Sequence, residues 1–393
     1  MAYPASLKKA LVKSGVYTLL LLCIFLLFSW HKHTTTSVLI AVPFFIVLYF
    51  IFFSVGKPAV SNWLRVKMQG DIKYIALFPL LLTALYFMYI AVNGDNPLEG
   101  TSFLVPFLLF FPALMMAVKN SSSPAVNWVD FLSFFLFVFP VTLVKINFDG
   151  DLPYGGNDFD SVYRIIVMLA AIFAFVTVRD IKDAGVYPSF NWKFLLTTLW
   201  VWLIFYLFVF AIGYSIDFIQ FSADRQYNFA LIEKIGTGFI AIFLHTALFE
   251  ELVFRGLLQN MLGKRIAQSA SWKKGWQWGA CILVIVALLT GYLMKGEMKW
   301  FPALITLLLF ATAYLLESKQ LTKSGEYTAL AITSVIFGLV HYHTGSIIFT
   351  GLACIGGWAY GYVYMKTKNT FYCALLHALV NSTPLIVGLS LAK

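Results

Sequence analysis

Apolar positions in this chain come as long runs rather than as the alternation of strands or the single stripe of a surface helix. Runs long enough to cross a bilayer as helices fall at about 15–30, 37–55, 74–92, 102–118, 128–145, 162–178, 193–213, 236–260, 278–294, 300–316, 327–343, 346–365 and 371–391. Short polar punctuators separate them, such as Asn93–Pro97, Asn120–Pro124 and Phe148–Asn157, where Pro and Gly mark turns. The pattern predicts an all-α fold, a polytopic transmembrane helical bundle of about 13 spans. The first run follows Lys8, Lys9 and Lys13 and reaches a second run without a small-residue cleavage site. It reads as a retained span rather than a signal peptide.

Composition agrees with that pattern. Hydrophobic residues make up 60% of the 393 and charged residues 12%, with a mean hydropathy of +0.82. Soluble domains carry about a quarter of their residues charged, so the chain reads as an integral membrane protein in contact with the lipid bilayer. The net charge of +10 could suggest nucleic acid, but the Lys and Arg are dispersed among short loops with no basic tract. No nucleic-acid partner is expected. With the N-terminus in the cytoplasm, inner segments hold 19 of the 28 Lys and Arg and outer segments 8, Arg255 lying within its helix. The positive-inside rule therefore favours a cytoplasmic N-terminus, and the short loops suggest a prokaryotic cytoplasmic membrane. Cys23, Cys281, Cys354 and Cys373 all fall in apolar segments without CxxC spacing and read as reduced packing residues. The acidic loop 149–160 lacks EF-hand spacing and reads as a solvated outer loop rather than a cation site.

Polar groups inside the apolar runs concentrate from about residue 228 onward, and the first seven runs hold almost none. Residues 1–190 are accordingly expected to be an accessory transmembrane region and 191–393 the functional core. The stretch Ala241–Gly256 reads as one apolar helix bearing two adjacent carboxylates, Glu250 and Glu251, and Arg255. Glu251 and Arg255 stand four apart, share a face and can pair. Glu250 lies about 100° round an ideal helix and points elsewhere. Two further apolar helices carry Phe337 with His341, and His377 with Asn381, each pair again four apart. Ionisable groups in apolar helices are costly and mark functional sites. Three helices can thus bring Glu, His and His/Asn together, a set suited to activating water. A carboxylate withdrawn from water is a competent general base. Two imidazoles and a carboxylate can hold zinc with an open position, or orient water without metal. An asparagine amide is a suitable oxyanion donor. His245 and His343 fall off the shared faces and read as packing histidines, as Phe337 reads as a packing residue.

The three motifs, Glu250-Glu251-x-x-x-Arg255, Phe337-x-x-x-His341 and His377-x-x-x-Asn381, resemble the signature of the CPBP intramembrane protease family, also called Abi. That family includes the type II CAAX prenyl endopeptidases and bacteriocin-processing or immunity proteins. The resemblance covers about 190–393 and implies a glutamate-dependent intramembrane endopeptidase, a hydrolase acting on a membrane-embedded or membrane-proximal polypeptide. It implies Glu250 as base, His341 and His377 as groups that bind or polarise water or a metal, and Asn381 as oxyanion donor. The Glu251–Arg255 pair would brace the site. A zinc ion, if used, would fall to His341, His377 and Glu250; a metal-free glutamate mechanism is the alternative. Two features depart from the family. Residues 278–316 look like an inserted helical hairpin between the first two motifs, and His341 falls near the end of its run while Glu250 and His377 look central. A proton-coupled transporter competes with the protease reading, but the polar chemistry sits in one half, not in two related repeats. A non-catalytic immunity or scaffold protein of the same fold is the third reading, opposed by the intact set of polar residues.

Overall fold

The computed structural model describes residues 3–29, 32–120, 125–142, 150–153, 160–221, 228–269, 271–320 and 324–391. They form an all-α chain with two minor ribbons, and its contacts divide it into two compact units, Met1–Pro188 and Ser189–Lys393. Nine of the described helices are long and apolar enough to cross a bilayer. Each of the thirteen apolar runs contains a helix among the described residues, Trp30 and 143–145 lying outside them, but four of these helices fall short of that length. The runs at 102–118, 128–145 and 162–178 give the shorter apolar helices, and the run at 327–343 gives a 15-residue helix that stops at Val340.

The N-terminal unit contains α1 (Tyr3–Ser29), α2 (Thr35–Val55), α3 (Pro58–Met68), α4 (Ile72–Val92), α5 (Val105–Asn120), α6 (Trp128–Thr142) and α7 (Val162–Val178). Side-chain caps start several of them: Thr34 accepts from Ser37 N, Asp71 from Lys73 N, and Ser161 from Arg164 N. A two-residue ribbon pairs β1 (Asp151–Leu152) with β2 (Asp160–Ser161); Asp149 and Asp158 of the acidic loop lie outside the described residues. This unit is less apolar inside than its hydropathy implies. Arg179 and Asp130, both buried, form a two-pronged salt bridge at 2.6 and 3.1 Å, and Arg179 also donates to Ala125 O. Arg65 donates to the carbonyls of Val176 and Thr177 in the π-helical end of α7. These charges are tolerated because each is paired and hydrogen-bonded. Asp130 and Arg179 are too far apart in sequence for any window to register the pair.

The C-terminal unit contains α8 (Trp192–Ser215), α9 (Phe229–Ala267), α10 (Trp272–Leu293), α11 (Phe301–Lys319), α12 (Glu326–Val340), α13 (Ile347–Thr367) and α14 (Thr370–Val387). A short antiparallel ribbon joins β3 (Ile219–Phe221) to β4 (Leu389–Leu391). The hairpin expected at 278–316 is α10–α11. It buries Leu283, Ala287, Ala303 and Phe310 against Ala331, Val335 and Leu339 of α12. Glu317, fully buried at the end of α11, accepts from Gly325 N at 2.5 Å and Tyr327 N at 2.9 Å. That carboxylate satisfies orphan N–H groups at the start of α12 and suits the positive end of the helix dipole. Helices α12 and α13 approach closely through glycine. A Cβ on Gly338 would lie 2.6 Å from Cys354 N, and one on Gly357 2.8 Å from Ser334 O. Small residues permit such packing where lipid supplies no hydrophobic drive. All four cysteines are free, Cys354 and Cys373 buried but Cys23 and Cys281 exposed.

Candidate active site

Glu250 and Glu251 occupy a short α-helical turn, Leu248–Glu251, between two π-helical segments, Ile242–Ala247 and Leu252–Gln259. π-Turns within α-helices recur at functional sites, and here they shift the faces of α9 away from ideal 100° arithmetic. Glu251 is fully buried and held at both oxygens. Arg255 Nε donates to Oε2 at 3.1 Å, and His377 Nδ1 lies 2.9 Å from Oε1. A carboxylate only accepts here, so Nδ1 carries the His377 proton and Nε2 keeps a lone pair in the neutral ring. The guanidinium of Arg255 is fully buried, and its Nη1 and Nη2 find no hydrogen-bond partner among the described residues. Rings surround it instead: Phe337 at 5.0 Å, Phe254 at 5.8 Å and Tyr360 at 5.9 Å, distances at which cation–π attraction operates.

The second histidine is fixed in the same tautomer. His341 begins the 3-10 turn His341–Thr344 that follows α12, and its Nδ1 is 2.7 Å from Phe337 O. A carbonyl accepts only, so Nδ1 donates and Nε2 again keeps the lone pair. Glu250 Oε2 is sealed without a hydrogen-bond partner among the described residues. Of the two adjacent carboxylates, Glu251 is the one bonded to His377, and no hydrogen bond joins Glu250 to either histidine among the described residues. Phe337 is more than filler: its ring stands 4.8 Å from His341 and 5.8 Å from His377.

Asn381 lies one turn beyond His377 on α14 and is exposed. It shares with His341, His377, Phe337 and Tyr360 the lining of a cavity of about 380 Å³, otherwise walled largely by apolar side chains such as Phe205 and Leu352. Helix α8 fixes that stretch of α14. Pro384 has no N–H, so the carbonyl of Val380 loses its donor within the helix. Tyr206 OH supplies one at 2.5 Å, and Trp202 Nε1 donates to Thr383 Oγ1 at 3.0 Å.

Of the residues expected at the site, Glu251, Arg255 and His377 form one bonded cluster, Asn381 joins both histidines at the cavity, and Glu250 stands beside Glu251 without bonding to either histidine among the described residues. The metal set is different. Both imidazoles have the tautomer a ligand needs, yet among the described residues no three His, Cys, Asp or Glu side chains stand together so as to hold an ion. His341, His377 and Glu250 are accordingly not drawn together as a three-ligand group among the described residues. His343 is exposed and accepts the role of a capping side chain, Nδ1 lying 2.8 Å from Val340 O. Two residues escaped the motif reading, Tyr360 and Tyr206. Neither is charged, and only the Gly357-x-x-x-Gly361 spacing around Tyr360 hints at a closely packed helix.

Residues 234–322 and 309–383 match the family described as Type II CAAX prenyl endopeptidase Rce1-like. The C-terminal unit belongs to this family. The first matched segment holds Glu250, Glu251 and Arg255, and the second His341, His377 and Asn381. No curated protein and no solved structure matches the chain. Rce1-like proteins are membrane-embedded CAAX-type endopeptidases, which are hydrolases of membrane-associated peptides. The apolar helices agree with an integral membrane protein of that class.

Proposed function

We propose that this Rce1-like chain hydrolyses a peptide bond of a membrane-associated polypeptide, with Glu250 as general base. The observation that carries the reading is the pair of histidines with matched tautomers on one cavity wall with Asn381, one of them bonded to the carboxylate adjacent to Glu250. Glu250 is half-buried, and its other carboxylate oxygen is not among the sealed atoms, so a water molecule can reach it. In the proposed step, Glu250 and the Nε2 lone pair of His341 hold that water. Its oxygen bonds to the scissile carbonyl carbon while its proton passes to Glu250. The carbonyl π pair moves to oxygen, where the Asn381 amide stabilises the charge. Collapse of the intermediate breaks the C–N bond, and Glu250 returns its proton to the leaving amine. His377 lines the cavity as a polarising group, held in place by Glu251 and Arg255. No step is routed through a metal. The scope for zinc is tested separately by measuring metal content of the purified protein.

Residues 1–190 are proposed to be accessory, and the Lys/Arg bias supports a cytoplasmic N-terminus in a prokaryotic membrane. The test is proteolysis in reconstituted membranes, on a substrate found by comparing membrane peptidomes of wild-type and deletion cells. Glu250→Ala should lower turnover about 10²–10⁴-fold, the range for general acid–base groups, with His341→Ala and His377→Ala also defective and all three folded. Full cleavage by Glu250→Ala would overturn the mechanism. An unchanged peptidome with loss of a proton-coupled flux would favour a transporter.

A further inference from the structure

The mechanism gives no role to two tyrosines on the cavity wall, Tyr206, whose hydroxyl donates to Val380 O, and Tyr360. The Tyr360 ring is fixed from several sides. It lies parallel to His377, with centroids 4.7 Å apart and planes 12° apart, and edge-on to Phe337 at 5.6 Å. The Arg255 guanidinium is 5.9 Å from its centroid. A phenylalanine would meet every one of those contacts. The hydroxyl is what they leave unexplained. Tyr360 is only 3% exposed, and its hydroxyl makes no hydrogen bond among the described residues. Buried tyrosine hydroxyls ordinarily find a partner. This oxygen is not among the sealed, unpartnered atoms, and Tyr360 lines the cavity beside Gly356. A Cβ added to Gly356 would stand 3.5 Å from it, so the absence of a side chain there leaves space in front of the hydroxyl. A phenol titrates near pH ~10 and is therefore a proton-bearing donor at neutral pH.

We infer that Tyr360 donates a hydrogen bond from its hydroxyl to the substrate carbonyl oxygen, as a second oxyanion donor alongside Asn381. The inference rests on the protease reading above. The donor is rigid where Asn381 is exposed, because the stack on His377 and the edge contact with Phe337 fix the ring before substrate arrives. Preorganised donors of this kind act mainly on the transition state, where the carbonyl oxygen becomes an oxyanion. The proton stays on the tyrosine throughout; no bond to it forms or breaks.

The experiment is steady-state cleavage by Tyr360→Phe in reconstituted membranes, with thermal midpoints measured on the same samples. Loss of an oxyanion donor costs about 10²–10³ in kcat where it is the main one, so a loss of about 10–100-fold is expected for one of two. KM should stay within about twofold and the thermal midpoint should not change, because the ring contacts persist. A ring-fluorinated tyrosine at position 360, more acidic but similar in shape, should retain turnover. Wild-type kcat in Tyr360→Phe would overturn the assignment, and so would a loss appearing in KM alone. Glu250→Gln separates the two readings. If it cleaves like wild type, the general-base mechanism falls; if it is inactive while Tyr360→Phe turns over normally, only the tyrosine assignment falls.

Discussion

Glu251 is the residue whose loss should cost the fold most. It neutralises a fully buried guanidinium that the rings of Phe254, Phe337 and Tyr360 surround, and it accepts from His377. In Glu251→Ala the Arg255 charge stays in place with no counterion. Breaking a buried pair by removing one partner costs about 3–5 kcal/mol. A further ~1 kcal/mol follows from leaving the His377 N–H without its acceptor. For a domain of this size, 1 kcal/mol shifts a thermal midpoint by about 2–4 °C, so a fall of roughly 8–24 °C is expected. The double variant Glu251→Ala/Arg255→Met removes both charges, and replacing a buried pair by apolar groups is often neutral or stabilising. It should therefore recover most of the loss in stability. It should not recover cleavage, because His377 still lacks the acceptor that sets its tautomer. Unfolding in mixed micelles followed by tryptophan fluorescence supplies the stability cycle, and proteolysis the activity. A double variant no more stable than Glu251→Ala would refute the account of Arg255 as a stranded charge. Full cleavage by the double variant would refute the account of His377.

Two further outcomes follow from the geometry around the site and in the N-terminal unit. Tyr206→Phe should destabilise by about 0.5–1.5 kcal/mol, the net worth of a hydrogen bond to a half-buried acceptor, because Pro384 deprives Val380 O of its helical donor. Pro384→Ala restores that donor, so Tyr206→Phe should be nearly silent in its background; equal costs in both backgrounds would refute the link. Lys57 donates to Ala10 O and Ser14 Oγ at the start of α3, and burial, then the charge of Lys13, lowers its pKa from 10.5 to about 8. The folded value lies below the unfolded one, so the unfolded chain binds more protons between those values and stability rises with pH across that window. The stability difference between wild type and Lys57→Met should therefore move in favour of wild type between pH 8 and 10.5, and a difference independent of pH would refute the burial.

The sequence by itself determined the helical class, the position of nearly every helix and the polar residues worth attention. Hydropathy over a bilayer thickness is a local property, and so is the four-residue spacing that pairs Glu251 with Arg255. The α10–α11 hairpin was legible for the same reason. Which carboxylate meets His377 was not. Glu250 and Glu251 are adjacent, and that Glu251 is the one bonded to His377 depends on the π segments that flank them and on the approach of α14. Tyr360 was invisible because an aromatic in an apolar helix reads as lipid-facing or packing until its neighbours are known. The Asp130–Arg179 pair shows the same limit in the other unit. A charge's cost is set by its partner, and only the tertiary structure brings together partners from distant parts of the chain.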